Sequence, residues 1–112
     1  MLPQEVFLSH SGRDRQFVTV LADMMRRHGI PVWYSRTNIL GAQQWHDEIG
    51  AALRRCDWFV LVLSPHAVES IWVKRELLFS LQQNRFEDKM IPLLYQSCAY
   101  ERLSWTLSLF HR

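Results

Sequence analysis

The chain has 112 residues and a mass of 13.4 kDa, with 48% hydrophobic and 21% charged residues; this excludes a disordered segment and leaves room for one domain around one core. Lys+Arg is 13 and Asp+Glu is 11, spread 7 to 5 over residues 1–56 and 6 to 6 over the remainder, so neither half offers a basic block for a nucleic-acid groove or a membrane surface. No apolar run approaches the roughly 20 residues that span a bilayer.

Met1-Leu2-Pro3-Gln4-Glu5 lacks the basic and apolar regions of a secretion signal. Two cysteines, Cys56 and Cys98, build neither a disulfide framework nor a four-cysteine metal site, so they read as buried thiols and no metal is expected. A reducing cytoplasm is the expected compartment. Glu5-Val6-Phe7-Leu8-Ser9 then reads as a first strand, followed by a loop, His10-Ser11-Gly12-Arg13-Asp14. Phe17, Val18, Leu21, Met25 and His28 recur at helical intervals, and Gly29 stops that helix. Ile30-Pro31-Val32-Trp33-Tyr34 is a second strand. Residues 35–44 carry no apolar periodicity but hold an Ile39-Leu40 pair and Gly41.

Trp45, Ile49, Ala52 and Leu53 mark a second helix. Trp58-Phe59-Val60-Leu61-Val62-Leu63 is an unbroken apolar run, which predicts a strand covered on both faces. A third helix runs from Ile71 to about Gln83 with Ser70 as its N-cap, and Met90-Ile91-Pro92-Leu93-Leu94-Tyr95 is a fourth strand. Leu103, Trp105, Leu107 and Leu109 alternate with polar residues and suggest a fifth strand, while Leu103, Leu107 and Phe110 also fit a short helix. No helix follows a fifth strand in this sequence, so a neighbouring segment of a longer protein or another copy is expected to cover it. The chain is thus read as a single domain, 1–112, lacking its final helix and expected to be part of a longer protein.

Alternation of strands and helices predicts an α/β fold: a flavodoxin-like, doubly wound parallel sheet of four to five strands, order 2-1-3-4-5, with helices on both faces. Ligands bind such sheets beyond the strand C-termini at the switch point, here between strands 1 and 3. Ser9–Arg13 and Ser64–Glu76 border that crevice. Trp72 and Glu76, four apart, share a helix face beside it. Away from a cleft they would be a core tryptophan and a solvated glutamate. At a cleft, a carboxylate next to an indole is partly desolvated and suits a cationic substrate.

Five segments resemble, in order, those of Toll/interleukin-receptor (TIR) domains of the bacterial type. Val6-Phe7-Leu8-Ser9-His10 resembles their first strand, and Gly29-Ile30-Pro31-Val32-Trp33 their second. Gly41 with Trp45-His46-Asp47-Glu48-Ile49 is similar to their BB loop and following helix. Phe59-Val60-Leu61-Val62-Leu63-Ser64-Pro65 resembles their third strand, and Ser70-x-Trp72-x-x-x-Glu76 their serine-tryptophan-glutamate signature. The departures are Ser35, where an acidic residue often ends the second strand, Arg13, slightly displaced from the usual basic position, and the missing last helix.

The resemblance implies either cleavage of NAD+ at the nicotinamide–ribose bond, in antiphage defence or immune-type signalling, or a non-catalytic module acting by TIR–TIR assembly. For the enzyme it implies Glu76 as the catalytic group, and His10, Ser11, Gly12, Ile39, Ser70 and Trp72 as substrate-binding residues. NAD+ is then a substrate, and no cofactor is expected. Ile39, Leu40 and Gly41 of the BB-like loop would gate the cleft and contact a neighbouring copy; they would otherwise tuck back onto Trp33 or Trp45. The implied partners are NAD+, a second copy and a fused or separate sensor domain.

One carboxylate suffices for this chemistry, because the leaving pyridinium needs no protonation and the transition state is oxocarbenium-like. Glu69 and Glu76 are seven apart and need not cooperate. A phosphoacceptor receiver domain is disfavoured, because strand 3 ends in Leu63-Ser64-Pro65 and only Asp14 lies near strand 1. A nucleoside deoxyribosyltransferase would need more acidic and aromatic residues near strand 1. A flavodoxin would need a phosphate loop there.

Overall fold

The fold is that of a computed structural model, which describes residues 3–34 and 42–110. Strand β1 (Val6–Ser9) is buried along its whole length. The chain then makes a 3-10 turn, Gly12–Asp14, whose first amide groups are capped by Ser11: its Oγ accepts from the Arg13 N–H at 3.2 Å. Helix α1 (Arg15–Arg27) follows, and Val18 and Ala22 are its buried residues. It ends as the sequence predicts. Gly29 sits at φ +81°, the Gly29 N–H donates to the Arg26 carbonyl, and the Ile30 N–H donates to the Met25 carbonyl, both at 3.0 Å. That crossed pair satisfies the last carbonyls of the helix and needs a left-handed residue, which glycine supplies without a Cβ clash.

Strand β2 (Val32–Trp33) leads to helix α2 (Ala42–Arg55) and then to strand β3 (Trp58–Leu63). Ser64 caps the short helix α3 (Pro65–Val68), accepting from the Ala67 N–H at 3.0 Å, with Pro65 in the first turn where no donor is required. Ser70 caps helix α4 (Ile71–Leu81), accepting from the Val73 N–H at 3.2 Å. Strand β4 (Met90–Leu94) completes a four-stranded, all-parallel sheet in the order β2-β1-β3-β4. Phe7 stands in register with Phe59, and Phe59 with Met90. Pro92 is tolerated because β4 is an edge strand of this sheet.

Side-chain alternation along β1 and β3 builds two cores. Val6, Leu8, Val60 and Val62 face α1 and pack with Val18 and Ala22. Phe7, Phe59, Leu61 and Leu63 face the other way, toward Ile49, Ala52 and Leu53 of α2 and Val73 and Leu77 of α4. The Phe7 and Phe59 rings stack at 5.5 Å, and Phe59 meets Phe86 edge-on at 5.9 Å. Both faces of β3 are therefore covered, as its unbroken apolar run predicts.

Two expectations change. Among the described residues the tail forms no fifth strand: residues 100–102 and 105–110 are 3-10 turns. Leu103 and Leu107 enter the core, whereas Trp105 is 71% and Leu109 63% exposed. A four-residue interval is helical, so the period-two reading put Trp105 on the wrong side. Ser104 starts the turn: its Oγ accepts from the Thr106 N–H at 3.2 Å, and its carbonyl from the Leu107 N–H at 3.1 Å. The cysteines also differ from each other. Cys56 is fully buried and burial pushes its thiol up to about 12, while Cys98 is only partly buried.

Candidate active site

The C-terminal ends of β1 and β3 lie side by side at the point where the strand order reverses. Ser9 ends β1, and alternation turns it to the same face as Phe7. Helix α4 packs against that face, with Glu76 in its second turn. The Ser9 hydroxyl donates to Glu76 Oε1 at 2.6 Å. Glu76 is only 6% exposed, and this burial pushes its carboxyl from 4.5 up to about 7, against the opposing pull of the Ser9 hydrogen bond. The carboxyl is therefore not merely near a cleft but desolvated within its wall.

A hollow of about 450 Å³ opens between α2 and α4. Ile49, Gly50 and Leu53 line one wall and Trp72, Glu76 and Phe79 the other, with the cationic or basic side chains of His46, Arg54 and Arg75 also lining it. Trp72 is half-buried; the Arg75 guanidinium lies 5.3 Å from its ring centre and the His46 ring 5.9 Å away. The site therefore sets one ionisable acid and an indole among several bases, an arrangement suited to a ligand that carries both a cation and an anionic group.

Of the residues expected at the site, Trp72 and Glu76 line this hollow together. His10, Ser11, Gly12 and Ser70 are not among the described residues that line it. They lie in the turn after β1 and at the start of α4. His10 Nδ1 lies 2.8 Å from the Ser11 carbonyl, an acceptor, so Nδ1 carries the proton there. The hydroxyls of Ser11 and Ser70 accept from backbone amides as caps. A Cβ on Gly12 would meet nothing within 4 Å, so its backbone is open on that side. Ile39, Leu40 and Gly41 lie outside the described residues.

The sequence places Ser9 at the edge of the crevice but does not pair it with Glu76, and the α2 wall did not emerge from motif reading, although its signal is present. His46, Gly50 and Leu53 fall on one face of α2, and Trp72, Arg75, Glu76 and Phe79 on one face of α4. Asp14 is a second buried acid, and Ser64 Oγ–H donates to its Oδ2 at 2.5 Å. This bond ties the turn after β1 to the end of β3.

The sequence pattern of the TIR domain family matches residues 6–110. The chain belongs to the TIR domain family. Among curated relatives, this TIR domain is 26% identical over 90 residues to the NAD(+) hydrolase TcpC of Escherichia coli O6:H1, covering 80% of this chain and 29% of that protein. It is 28% identical over 74 residues to the 2' cyclic ADP-D-ribose synthase AbTIR of Acinetobacter baumannii, covering 65% of this chain and 28% of that protein. The chain thus spans less than a third of the length of these two relatives.

Solved structures agree on the fold. The TIR domain of the Toll-related receptor TRR-2 of Hydra magnipapillata superposes with a TM-score of 0.70 at 21% identity, over 83% of this chain and 71% of that one. The TIR domains of the activated Roq1 resistosome give 0.71 at 23% identity, over 95% of this chain and 69% of that one. Among the described residues no helix is long and apolar enough to cross a membrane.

Proposed function

We propose that this TIR domain is an NAD+ glycohydrolase that breaks the nicotinamide–ribose bond, with Glu76 as its catalytic group. The observation that carries the reading is the buried Glu76 carboxyl, beside Trp72, in the wall of a hollow with basic side chains. The names of the bacterial relatives, an NAD(+) hydrolase and a cyclic ADP-ribose synthase, support it.

Heterolysis sends the bonding electron pair to the pyridinium nitrogen, so nicotinamide leaves neutral and no general acid is needed. Positive charge then develops at the anomeric carbon. An ionised Glu76 stabilises that charge and accepts hydrogen bonds from the ribose hydroxyls. Trp72 offers the nicotinamide an apolar wall, and Arg54 and Arg75 suit the diphosphate. Water attacking the anomeric carbon and losing a proton gives linear ADP-ribose; a hydroxyl of the same molecule attacking in its place gives a cyclic product.

Cleavage depends on self-association, with a second copy contacting the Ile39-Leu40 segment. A fused or partner sensor domain supplies the trigger for immune-type or antiphage signalling in the cytoplasm.

The test is incubation of the purified chain with NAD+ over a dilution series, beside Glu76→Gln. Gln keeps the volume and an acceptor for Ser9 but removes the charge. Nicotinamide release should fall about 10²–10³-fold in Glu76→Gln. Equal rates would remove the catalytic reading and leave the assembly module. A monomer fully active at high dilution would remove the self-association step.

A further inference from the structure

Ser9 has no assigned part in the chemistry above, yet it is the residue that grips the catalytic carboxyl. Ser9 is 1% exposed and its Oγ lies 2.6 Å from Glu76 Oε1, so the bond is shielded from competing water. Both partners sit on regular elements. Ser9 is the last residue of β1 and pairs in register with Leu61 of β3, and Glu76 lies within α4. A hydroxyl donating to a carboxylate forms a charge-assisted bond, stronger to the ionised than to the neutral form.

We infer that Ser9 is a positioning residue for Glu76: its hydroxyl fixes the carboxyl's rotamer, so that one oxygen is presented ready for the substrate's ribose. This rests on the NAD+ reading. Among the described residues, the other charged or titratable side chains lining the hollow beside Glu76 are His46 and Arg54 from α2 and Arg75 from α4, and His10 follows Ser9 in the chain. None of them is altered by a change at Ser9, so the contribution of the hydroxyl is separable from theirs.

The experiment compares the wild-type chain, Ser9→Ala and Ser9→Thr by NAD+ turnover across the neutral pH range and by carbon-detected NMR titration of the Glu76 carboxyl. The bond to Ser9 pulls the Glu76 titration down, so its loss moves the titration up. Ser9→Ala should lower kcat about tenfold at neutral pH with little change in KM, and move the acid limb of activity to higher pH. Ser9→Thr retains the hydroxyl and should restore both the rate and the limb.

An unmoved acid limb in Ser9→Ala overturns the inference, whether or not its rate falls, because damage to packing alone lowers the rate without moving the limb. If the wild-type chain leaves NAD+ intact, the enzymatic reading fails and the titration alone decides. A Glu76 midpoint higher in Ser9→Ala than in wild type then upholds the grip of Ser9 on the carboxyl, and equal midpoints overturn it.

Discussion

The α1 face of the sheet and the α2–α4 face are built from the same strands but packed to different ends. On the α1 face, Val6, Leu8, Val60 and Val62 close against Val18 and Ala22, and the helix is sealed by the Gly29 turn. On the opposite face the alternating partners are larger, Phe7 and Phe59, and Ser9 breaks the apolar series at the end of β1. Two helices share that face, and a hollow of about 450 Å³ remains between them. The lesson is that the acid is placed where packing is incomplete. A buried carboxyl in a closed core would be a fault, whereas beside a hollow it is available to a cation.

The sharpest way to break this contrast is to remove the acid's charge and follow stability against pH. The Glu76 carboxyl titrates at about 7 in the folded chain against 4.5 for a free group. Below pH 4.5 it is neutral in both states and carries no penalty. As pH rises from 4.5 to 7 the unfolded chain loses its proton and the folded chain retains it, so stability falls by on the order of 3 kcal/mol. Above 7 the loss is complete and constant. Glu76→Gln should abolish this decline and melt at a higher temperature than wild type at pH 8, which thermal denaturation at several pH values checks. A decline of the same size in both proteins would mean that Glu76 is not desolvated.

Leu107 sharpens the contrast from the tail. It enters the α2–α4 core while Trp105, two residues earlier, is exposed. Leu107→Ala should cost about 2–4 kcal/mol and Trp105→Ala less than about 0.5, read by chemical denaturation. The reverse ranking would restore the strand reading of residues 103–109.

The smallest expected effect lies on the α1 face. Gly29→Ala forces a Cβ onto a residue at φ +81° and should cost about 1 kcal/mol. NAD+ turnover per folded molecule should stay unchanged, since Gly29 lies outside the site. A matching loss of turnover would mean that the two faces are coupled.

Periodicity alone was enough for the sheet. The unbroken run 58–63 announced a strand covered on both sides, Gly29 marked a helix end, and Ser70 marked a helix start, because each depends on residues close in sequence. It was not enough for the tail, where four-residue and two-residue intervals coexist in 103–109 and only the depth of the core chose between them. Glu76 and Trp72 were legible as one helix face, and their resemblance to the TIR signature gave them a role.

The sequence could not pair Glu76 with Ser9, which is 67 residues away, nor bring the His46 face of α2 across from α4. Those relations depend on how the strands order themselves and how far apart two helices settle on a shared face. Local spacing determines which way a side chain points from its own element. What stands opposite it, and whether water reaches between them, is decided only when the layers close.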